Sequence, residues 1–376
     1  MRTRTTLRSP GAALAAAALS LALALVGCGQ AAESGGSGGE ALSGGREGTG
    51  VTIGLLLPDS HTARWEAFDR PLIEQKIKEL CADCTVDYAN GQGSVATQQQ
   101  QVDTMITKRV DVIVLDPVDY KSLRSSVKEA DRAGIPVVSY DRLAEGPISG
   151  YVSFDGNEVG RLQAEALLRA MGKKADGGRI VMMNGDPTDP NAAWFREGAL
   201  SVLEDKVTIG KEYDTPQWSP ENAHINMSGA ISALGPGSID GVYSANDALA
   251  SGIVSALKSG NVTPLPPITG QDAELNGVQR IVKGEQSMTV YKPFKPEAEA
   301  AAAMAVALGR GESPDGVAQD RISTSTATNI PAVLLTPVPL TVDNIKETVV
   351  KDGMYTIDQI CTAKFRSACE RAGLIP

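Results

Sequence analysis

From Val51 onward the chain alternates short apolar runs with longer stretches whose hydrophobic residues recur at helical spacing. Val51-Thr52-Ile53-Gly54-Leu55-Leu56-Leu57 is an apolar run stopped by Pro58-Asp59, the pattern of a strand buried on both faces. Behind it, Trp65, Phe68, Leu72, Ile77 and Leu80 predict an amphipathic helix. A weaker strand at Val86-Asp87-Tyr88 follows, then a polar helix from Gln98 to Arg109 with Val102, Met105 and Ile106 on one face. Asp111–Leu115 and Ile135–Tyr140 repeat the first strand's pattern, stopped by Asp116-Pro117 and Asp141, with a helix to Ala133 between them. After Tyr151-Val152-Ser153-Phe154 the series restarts. Strands are expected at Arg179–Met183, Val207–Tyr213, Gly241–Ser244, Pro267–Thr269 and Met288–Tyr291. Helices are expected at Val159–Met171, Asn222–Leu234 and Ala248–Lys258. An Ala-rich helix from Pro296 to Leu308 and a strand at Ala332–Leu335 come last. Strand, polar stop and helix, repeated over short connections, predict parallel sheets covered by helices on both faces. The fold class is therefore α/β, with two doubly wound parallel-sheet domains and a boundary near Gly150.

The first fifty residues do not share this pattern. Arg2, Arg4 and Arg8 precede an unbroken Ala/Leu/Ser/Val stretch from Leu14 to Val26, the n-region and h-region of a signal peptide over residues 1–27. That stretch is short for a membrane-spanning helix, which needs about 20 apolar residues. It ends Leu25-Val26-Gly27-Cys28. This is similar to the lipobox of bacterial lipoproteins, which implies diacylation of Cys28; the alternative is an ordinary signal peptide with an incidental cysteine. Residues 28–50 are rich in Gly, Ser, Ala and Glu and read as a flexible tether. Cys81, Cys84, Cys361 and Cys369 remain, and an even number in an exported chain favours disulfides. Cys81–Cys84 would close a turn after a helix and Cys361–Cys369 would clip the C-terminal segment, though other pairings stay open. The Cys81-Ala82-Asp83-Cys84 spacing also fits a redox or zinc half-motif, but no second pair of matching spacing exists.

Composition narrows the function. A formal charge of −10 argues against a nucleic-acid partner. Two histidines, His61 and His224, leave little for a metal site or a proton relay, so neither metal nor cofactor is expected. Gly-x-Ser-x-Gly, Walker and His-Glu-x-x-His motifs are missing from the sequence.

In open α/β sheets, ligands sit beyond the carboxyl ends of the strands. The residues placed there are Asp59, Asp116, Asp141-Arg142, Asn184, Asn246-Asp247, Gln271-Asp272 and Lys292. Asp59 and Asp116 read best as helix caps. The doublets carry more than a cap needs. Carboxylates, amides and an arginine in one crevice suit a neutral polyol, whose hydroxyls each donate and accept. Trp65 and Trp218 stand where rings could cover a sugar face, or could simply pack; Trp194, beside Phe195 on a helix, reads as packing. A glycosidase carboxylate pair is the enzymatic alternative, yet nothing marks one carboxyl as a raised-pKa acid, and an arginine neighbour lowers it.

These motifs are recognisable. Val138-Ser139-Tyr140-Asp141-Arg142, Val152-Ser153-Phe154-Asp155, Pro190-Asn191-Ala192-Ala193, Ser244-Ala245-Asn246-Asp247-Ala248, Gly270-Gln271-Asp272-Ala273-Glu274 and Met288-Thr289-Val290-Tyr291-Lys292-Pro293 occur in order. Together they resemble the xylose-binding group of sugar receptors for ABC transporters, over about Val51 to Tyr355. The resemblance implies the type I periplasmic-binding-protein fold with a three-strand hinge, and no enzymatic activity. It implies one lobe over 51–150 and 292–333, a second over 151–291 and 334–354, and a tail over 355–376. It implies sugar contacts from Arg64, Trp65, Asp141, Arg142, Asn191, Trp218, Asn246, Asp247, Gln271, Asp272 and Lys292. The implied partners are a monosaccharide, ABC permease subunits and the membrane through Cys28, for a monomeric receptor on the extracytoplasmic face. A sugar receptor reporting to a membrane signalling partner fits the same motifs. Repressors of this fold carry an N-terminal helix-turn-helix, where this chain has a signal sequence.

Overall fold

The computed structural model describes residues 50–376 except His61. The expected signal peptide, the Cys28 lipidation site and nearly all of the tether lie outside the described residues. Strands β1 (Thr52–Leu57), β2 (Thr85–Asn90), β3 (Val112–Leu115), β4 (Val137–Tyr140) and β5 (Gly150–Phe154) alternate with helices in the first part. These are α1 (Arg70–Leu80), entered through a π-helical turn at Trp65–Asp69, α2 (Val95–Lys108) and α3 (Arg124–Arg132). The second part runs α4 (Gly156–Met171), β6 (Arg179–Met183), α5 (Pro190–Leu203), β7 (Thr208–Tyr213), α6 (Pro220–Leu234), β8 (Gly241–Ser244), α7 (Asp247–Ser259), α8 (Leu275–Lys283) and β9 (Thr289–Tyr291). Then come α9 (Phe294–Gly309), β10 (Asp320–Ile322), β11 (Ile330–Leu335), β12 (Val338–Leu340), α10 (Ile357–Ile360) and α11 (Arg366–Arg371).

The first sheet has seven strands in the order β10-β11-β5-β4-β3-β1-β2, parallel except for β10 against β11. Strand alternation splits its core between two faces. Ile53, Leu55 and Leu57 of β1 pack with Ile73 and Ile77 of α1 and Ala301, Met304 and Ala305 of α9, whereas Leu56 faces Val102 and Met105 of α2 and Val127 of α3. In the second lobe, β7-β6-β8 form a parallel core sheet. Single bridges, Val242 to Ile268 and Gln271 to Val290, extend it to β9, which pairs antiparallel with β12. The strand expected at Pro267–Thr269 is reduced to one such bridge, because Pro264, Pro266 and Pro267 supply no N–H to a ladder.

Two boundaries differ from the sequence expectation. β5 is bonded on both sides within the first sheet, to β4 and to β11, so residues 151–154 belong to the first lobe and the chain crosses at Asp155. β11 runs in the same sheet to Leu335, so 334–335 also belong there. The remaining crossings fall at Lys292-Pro293, between β9 and α9, and at Thr336-Pro337, between β11 and β12. Residues 355–376 are not an appended tail. Tyr355, Ile360, Cys369 and Leu374 are buried against Val278, Ile281 and Val282 of α8 and Tyr291 of β9. Cys81 is bonded to Cys84 and Cys361 to Cys369, which leaves no thiolate at Cys81 or Cys84 for zinc. Among the described residues, no helix is long and apolar enough to cross a membrane.

The second lobe's first two helices approach very closely, and two glycines allow it. A Cβ on Gly160 of α4 would lie 1.9 Å from the Phe195 carbonyl oxygen of α5, and one on Gly198 of α5 would lie 2.0 Å from the Asn157 carbonyl oxygen of α4. Both obstacles are backbone, so a methyl group forces the helices apart. Gly160→Ala is expected to destabilise the protein by about 1–3 kcal/mol, read from the urea midpoint. An unchanged midpoint would show that the helix pair relaxes freely.

Candidate functional site

The loops that follow the strands of both lobes meet around one small cavity of about 20 Å³. From the first lobe, Arg64 enters through the π-helical turn that starts the first helix. Its Nε and Nη2 donate to the two oxygens of Asp69 at 2.9 and 2.7 Å, Nη2 to Glu297 at 2.6 Å, and Nη1 to Asp141 Oδ2 at 2.7 Å. Its guanidinium also lies 4.3 Å from the Trp65 ring and 4.2 Å from that of Phe294. Lys292, at the second lobe crossing, sits 3.1 Å from Asp272 Oδ1 and 3.5 Å from Asp141 Oδ2.

Asp141 ends β4 with φ of 52°, a left-handed conformation uncommon outside glycine. It is held there by Tyr151 and Ser153, whose hydroxyls donate to its carbonyl at 3.1 and 2.7 Å. Gln217 and Trp218 have φ of 62° and 51°, and Asp272 and Ala273 have 87° and 51°. Left-handed residues thus cluster on three loops at this cavity, the expected sign of backbone shaped by function rather than by propensity.

The second lobe contributes through helix starts. Asp189 caps α5, accepting from Asn191 N at 2.9 Å, and its other oxygen accepts from Trp218 Nε1 at 3.1 Å. Asn191 reaches across the cleft, its Nδ2 donating to Asp141 Oδ1 at 2.8 Å. Arg142 makes the reciprocal crossing, with Nε 2.9 Å from Asp189 Oδ2; the pair is ionic, since the N–H is not aligned for a hydrogen bond. Asn246 spends its side-chain oxygen on capping α7 through Leu249 N at 2.9 Å. Four buried polar atoms on cavity-lining residues, Trp65 Nε1, Arg142 Nε, Gln271 Oε1 and Asp272 Oδ1, have no hydrogen-bond partner in the protein. Two are donors and two are acceptors.

Ten of the eleven expected contact residues line this cavity: Arg64, Trp65, Asp141, Arg142, Asn191, Trp218, Asn246, Gln271, Asp272 and Lys292. Asp247 does not. Its carboxylate is fully buried and turned into the second lobe, accepting from Gln286 Nε2 at 2.6 Å, Glu274 N at 2.9 Å and Thr289 Oγ1 at 3.0 Å. It ties the loops on either side of α8 to the start of β9, because the first residue of a helix points away from the cap's side. Thr62, Asp189 and Phe195 line the cavity without having been expected. Asp189 was legible as a cap before Pro190; its second oxygen was not. Asp59 closes a turn rather than capping a helix: it accepts from Thr62 N at 3.1 Å, and the helical turn that follows starts at Trp65 without a side-chain cap. Asp116 caps nothing: α3 begins eight residues later and without a side-chain cap.

Burial raises and neighbouring cations lower the site's carboxyls, and the balance differs at each. Burial works against Asp141, but Lys292, Arg64 and Arg142 outweigh it and hold its carboxyl down at about 2. Burial wins at Asp189, pushed up to about 6 despite Arg142, and at Asp247, pushed up to about 7. It also raises Asp116, Asp69 and Glu297.

Comparison with known proteins gives a consistent result. Residues 53–313 match the model of a periplasmic binding protein domain. The chain is 39% identical over 311 residues to the D-xylose-binding periplasmic protein of Escherichia coli (strain K12), covering 81% of this chain and 91% of that protein. It is 32% identical over 329 residues to a multiple sugar-binding periplasmic receptor of Rhizobium radiobacter, covering 82% and 92%. A crystal structure of an ABC transporter solute binding protein from Clostridium phytofermentans, with bound β-D-glucose, superposes with a TM-score of 0.76 at 28% identity, covering 82% of this chain and 99% of that one.

The raised carboxyls set a pH dependence. A carboxyl raised in the folded state binds protons that the unfolded chain, with its carboxyls near 4, releases, so stability falls as pH rises between the two values. Asp189 acts in this sense from about 4 to 6 and Asp247 from about 4 to 7. Asp141, lowered to about 2, acts in the opposite sense and only below about pH 4. The melting temperature should therefore be several degrees lower at pH 8 than at pH 5. Calorimetry showing a flat or rising trend would contradict this assignment.

Proposed function

Because the chain belongs to the periplasmic binding protein family, we propose that it is an extracytoplasmic receptor that closes around a neutral monosaccharide and delivers it to an ABC transporter permease. The observation that carries the reading is the set of buried donors and acceptors around one two-walled cavity that make no hydrogen bond within the protein, Arg142 and Asp272 being held there by ion pairs alone. A sugar hydroxyl donates and accepts at once, so a small polyol relieves both kinds, where a cation or an anion would relieve only one. Each buried group left unpaired costs about 1–3 kcal/mol, which is free energy that a polyol recovers on binding. The Trp65, Phe195 and Trp218 rings supply apolar surface for the C–H faces of a pyranose. Xylose or a related aldose is the first ligand to try, since relatives named for xylose and for several sugars cover nearly the whole folded body.

Binding without turnover follows from the carboxylates. Glycoside hydrolysis needs one carboxyl free to protonate and one free to attack or to activate water. Asp141 is engaged by Arg64, Lys292 and Asn191, and Asp189 by Arg142, Trp218 and its own helix. We further propose that a diacyl group on Cys28 and the Gly/Ser-rich tether hold a monomeric receptor at the outer face of the membrane.

Titration calorimetry of the chain from Gly29 should give saturable binding of xylose or a close aldose, with a change in tryptophan fluorescence. Asn191→Ala should weaken binding by about 10- to 100-fold, as expected for a hydrogen bond to a charged partner. Absence of binding across a monosaccharide panel, or release of product from an aryl xyloside, would overturn the reading. Cys28→Ala should free the protein from the membrane with affinity unchanged; membrane retention of that variant would remove the lipid anchor.

A further inference from the structure

We propose that Arg142 changes carboxylate partners when the lobes close, and that Asp116 is the carboxylate that holds it in the open form. The inference rests on the closing-receptor reading above and assigns a positioning role to a residue outside the cavity lining. Arg142 follows β4, Asp116 follows β3 and Asp59 follows β1, all in the first sheet. They move as one body. Asp189 belongs to the other lobe.

In the closed structure the guanidinium is shared unequally. Nε lies 2.9 Å from Asp189 Oδ2 but 3.6 Å from Asp116 Oδ1, and Nη2 lies 3.4 Å from Asp59 Oδ2. Nη1 donates to Pro117 O at 3.3 Å, which keeps the group beside the loop that carries Asp116. Asp116 itself is completely buried, and neither carboxylate oxygen has a hydrogen-bond partner. Its backbone is satisfied, with N donating to Leu56 O and O accepting from Gln98 Nε2, so only the side chain is stranded. Burial raises its carboxyl well above the usual range, against Arg142 and Arg64 and with Asp141 and Asp189.

A buried carboxyl group with no hydrogen bond and only a long ion-pair contact is destabilising unless another state uses it. Opening the lobes withdraws Asp189, the nearest carboxylate, and leaves Arg142 with Asp59 at 3.4 Å and Asp116 at 3.6 Å. A small rotation of the guanidinium then brings it into paired contact with Asp116, a geometry that suits its fork of donors. Closure thus exchanges one carboxylate for another rather than creating an ion pair, and Asp116 weights the equilibrium toward the open form. Sugar must overcome that weighting, so Asp116 lowers the apparent affinity.

The test compares wild type with Asp116→Asn, an isostere that keeps the packing, in the chain from Gly29. Small-angle scattering without ligand should show the variant more compact than wild type, and xylose should bind it about tenfold more tightly. Asp189→Asn should be more extended than wild type without ligand. Asp116→Ala, read the same way, serves if the isostere folds poorly by circular dichroism. A folded Asp116 variant that is as extended as wild type, or more so, overturns the partner exchange whatever its xylose affinity. Compaction of the variant with no xylose binding by either protein supports the exchange and removes the sugar assignment instead.

Discussion

Three cations buried among seven carboxylates govern this molecule. Arg64, Arg142 and Lys292 lie within ion-pair distance of Asp59, Asp69, Asp116, Asp141, Asp189, Asp272 and Glu297. Charges taken out of water are tolerated only when paired, so each of these side chains must find a partner in the fold. The imbalance has a consequence. There are four more carboxylates than cations, and four of them, Asp69, Asp116, Asp189 and Glu297, are raised by burial. Proton uptake thus moves the cluster toward neutrality.

The network is also what joins the lobes across the cleft. Arg142 to Asp189 and Asn191 to Asp141 are reciprocal: each lobe offers one donor and one carboxylate to the other. At the rim, Tyr120 N donates to Thr188 O at 3.3 Å and Thr188 Oγ1 to Val118 O at 3.4 Å. These contacts are mostly polar, the edge-on packing of Phe68 against Tyr355 at 5.8 Å being an apolar one, and the buried cores on the two sides remain separate clusters. A polar interface over separate cores can part without unfolding either side, which is the condition for hinge motion about three chain crossings. A ligand that touches both walls binds the closed form better than the open one, and that difference drives closure.

Much of the fold was legible because one rule recurs: an apolar run, a polar stop, a helix. β1, β3, β4, β6 and β8 follow it and were placed within a few residues. β10 and β12 did not show, since Asp320–Ile322 and Val338–Leu340 are three residues long and lack a period that could be read. The lobe membership of β5 and the end of β11 was misjudged for a different reason. Strand sequence reports burial, not the identity of the neighbour, and β5 is an apolar strand that either sheet could have accepted.

The sequence by itself determined which residues stand at the carboxyl ends of strands, and so delivered six of the cavity's side chains, Asp141, Arg142, Asn246, Gln271, Asp272 and Lys292, to the right loops. Chain connectivity alone fixes that placement, because a polar residue after a buried strand has to emerge at the sheet's edge. Only the tertiary structure decided which way those side chains turn. Asn246 and Asp247 are adjacent in sequence, yet one lines the cavity and the other pins two loops and the start of β9 behind it. Asp59 and Asp116 read alike as caps, yet one closes a turn through Thr62 N and the other lies without a hydrogen bond against Arg142. The difference is made by partners tens of residues away, brought close by packing of the sheets, and no local pattern encodes them.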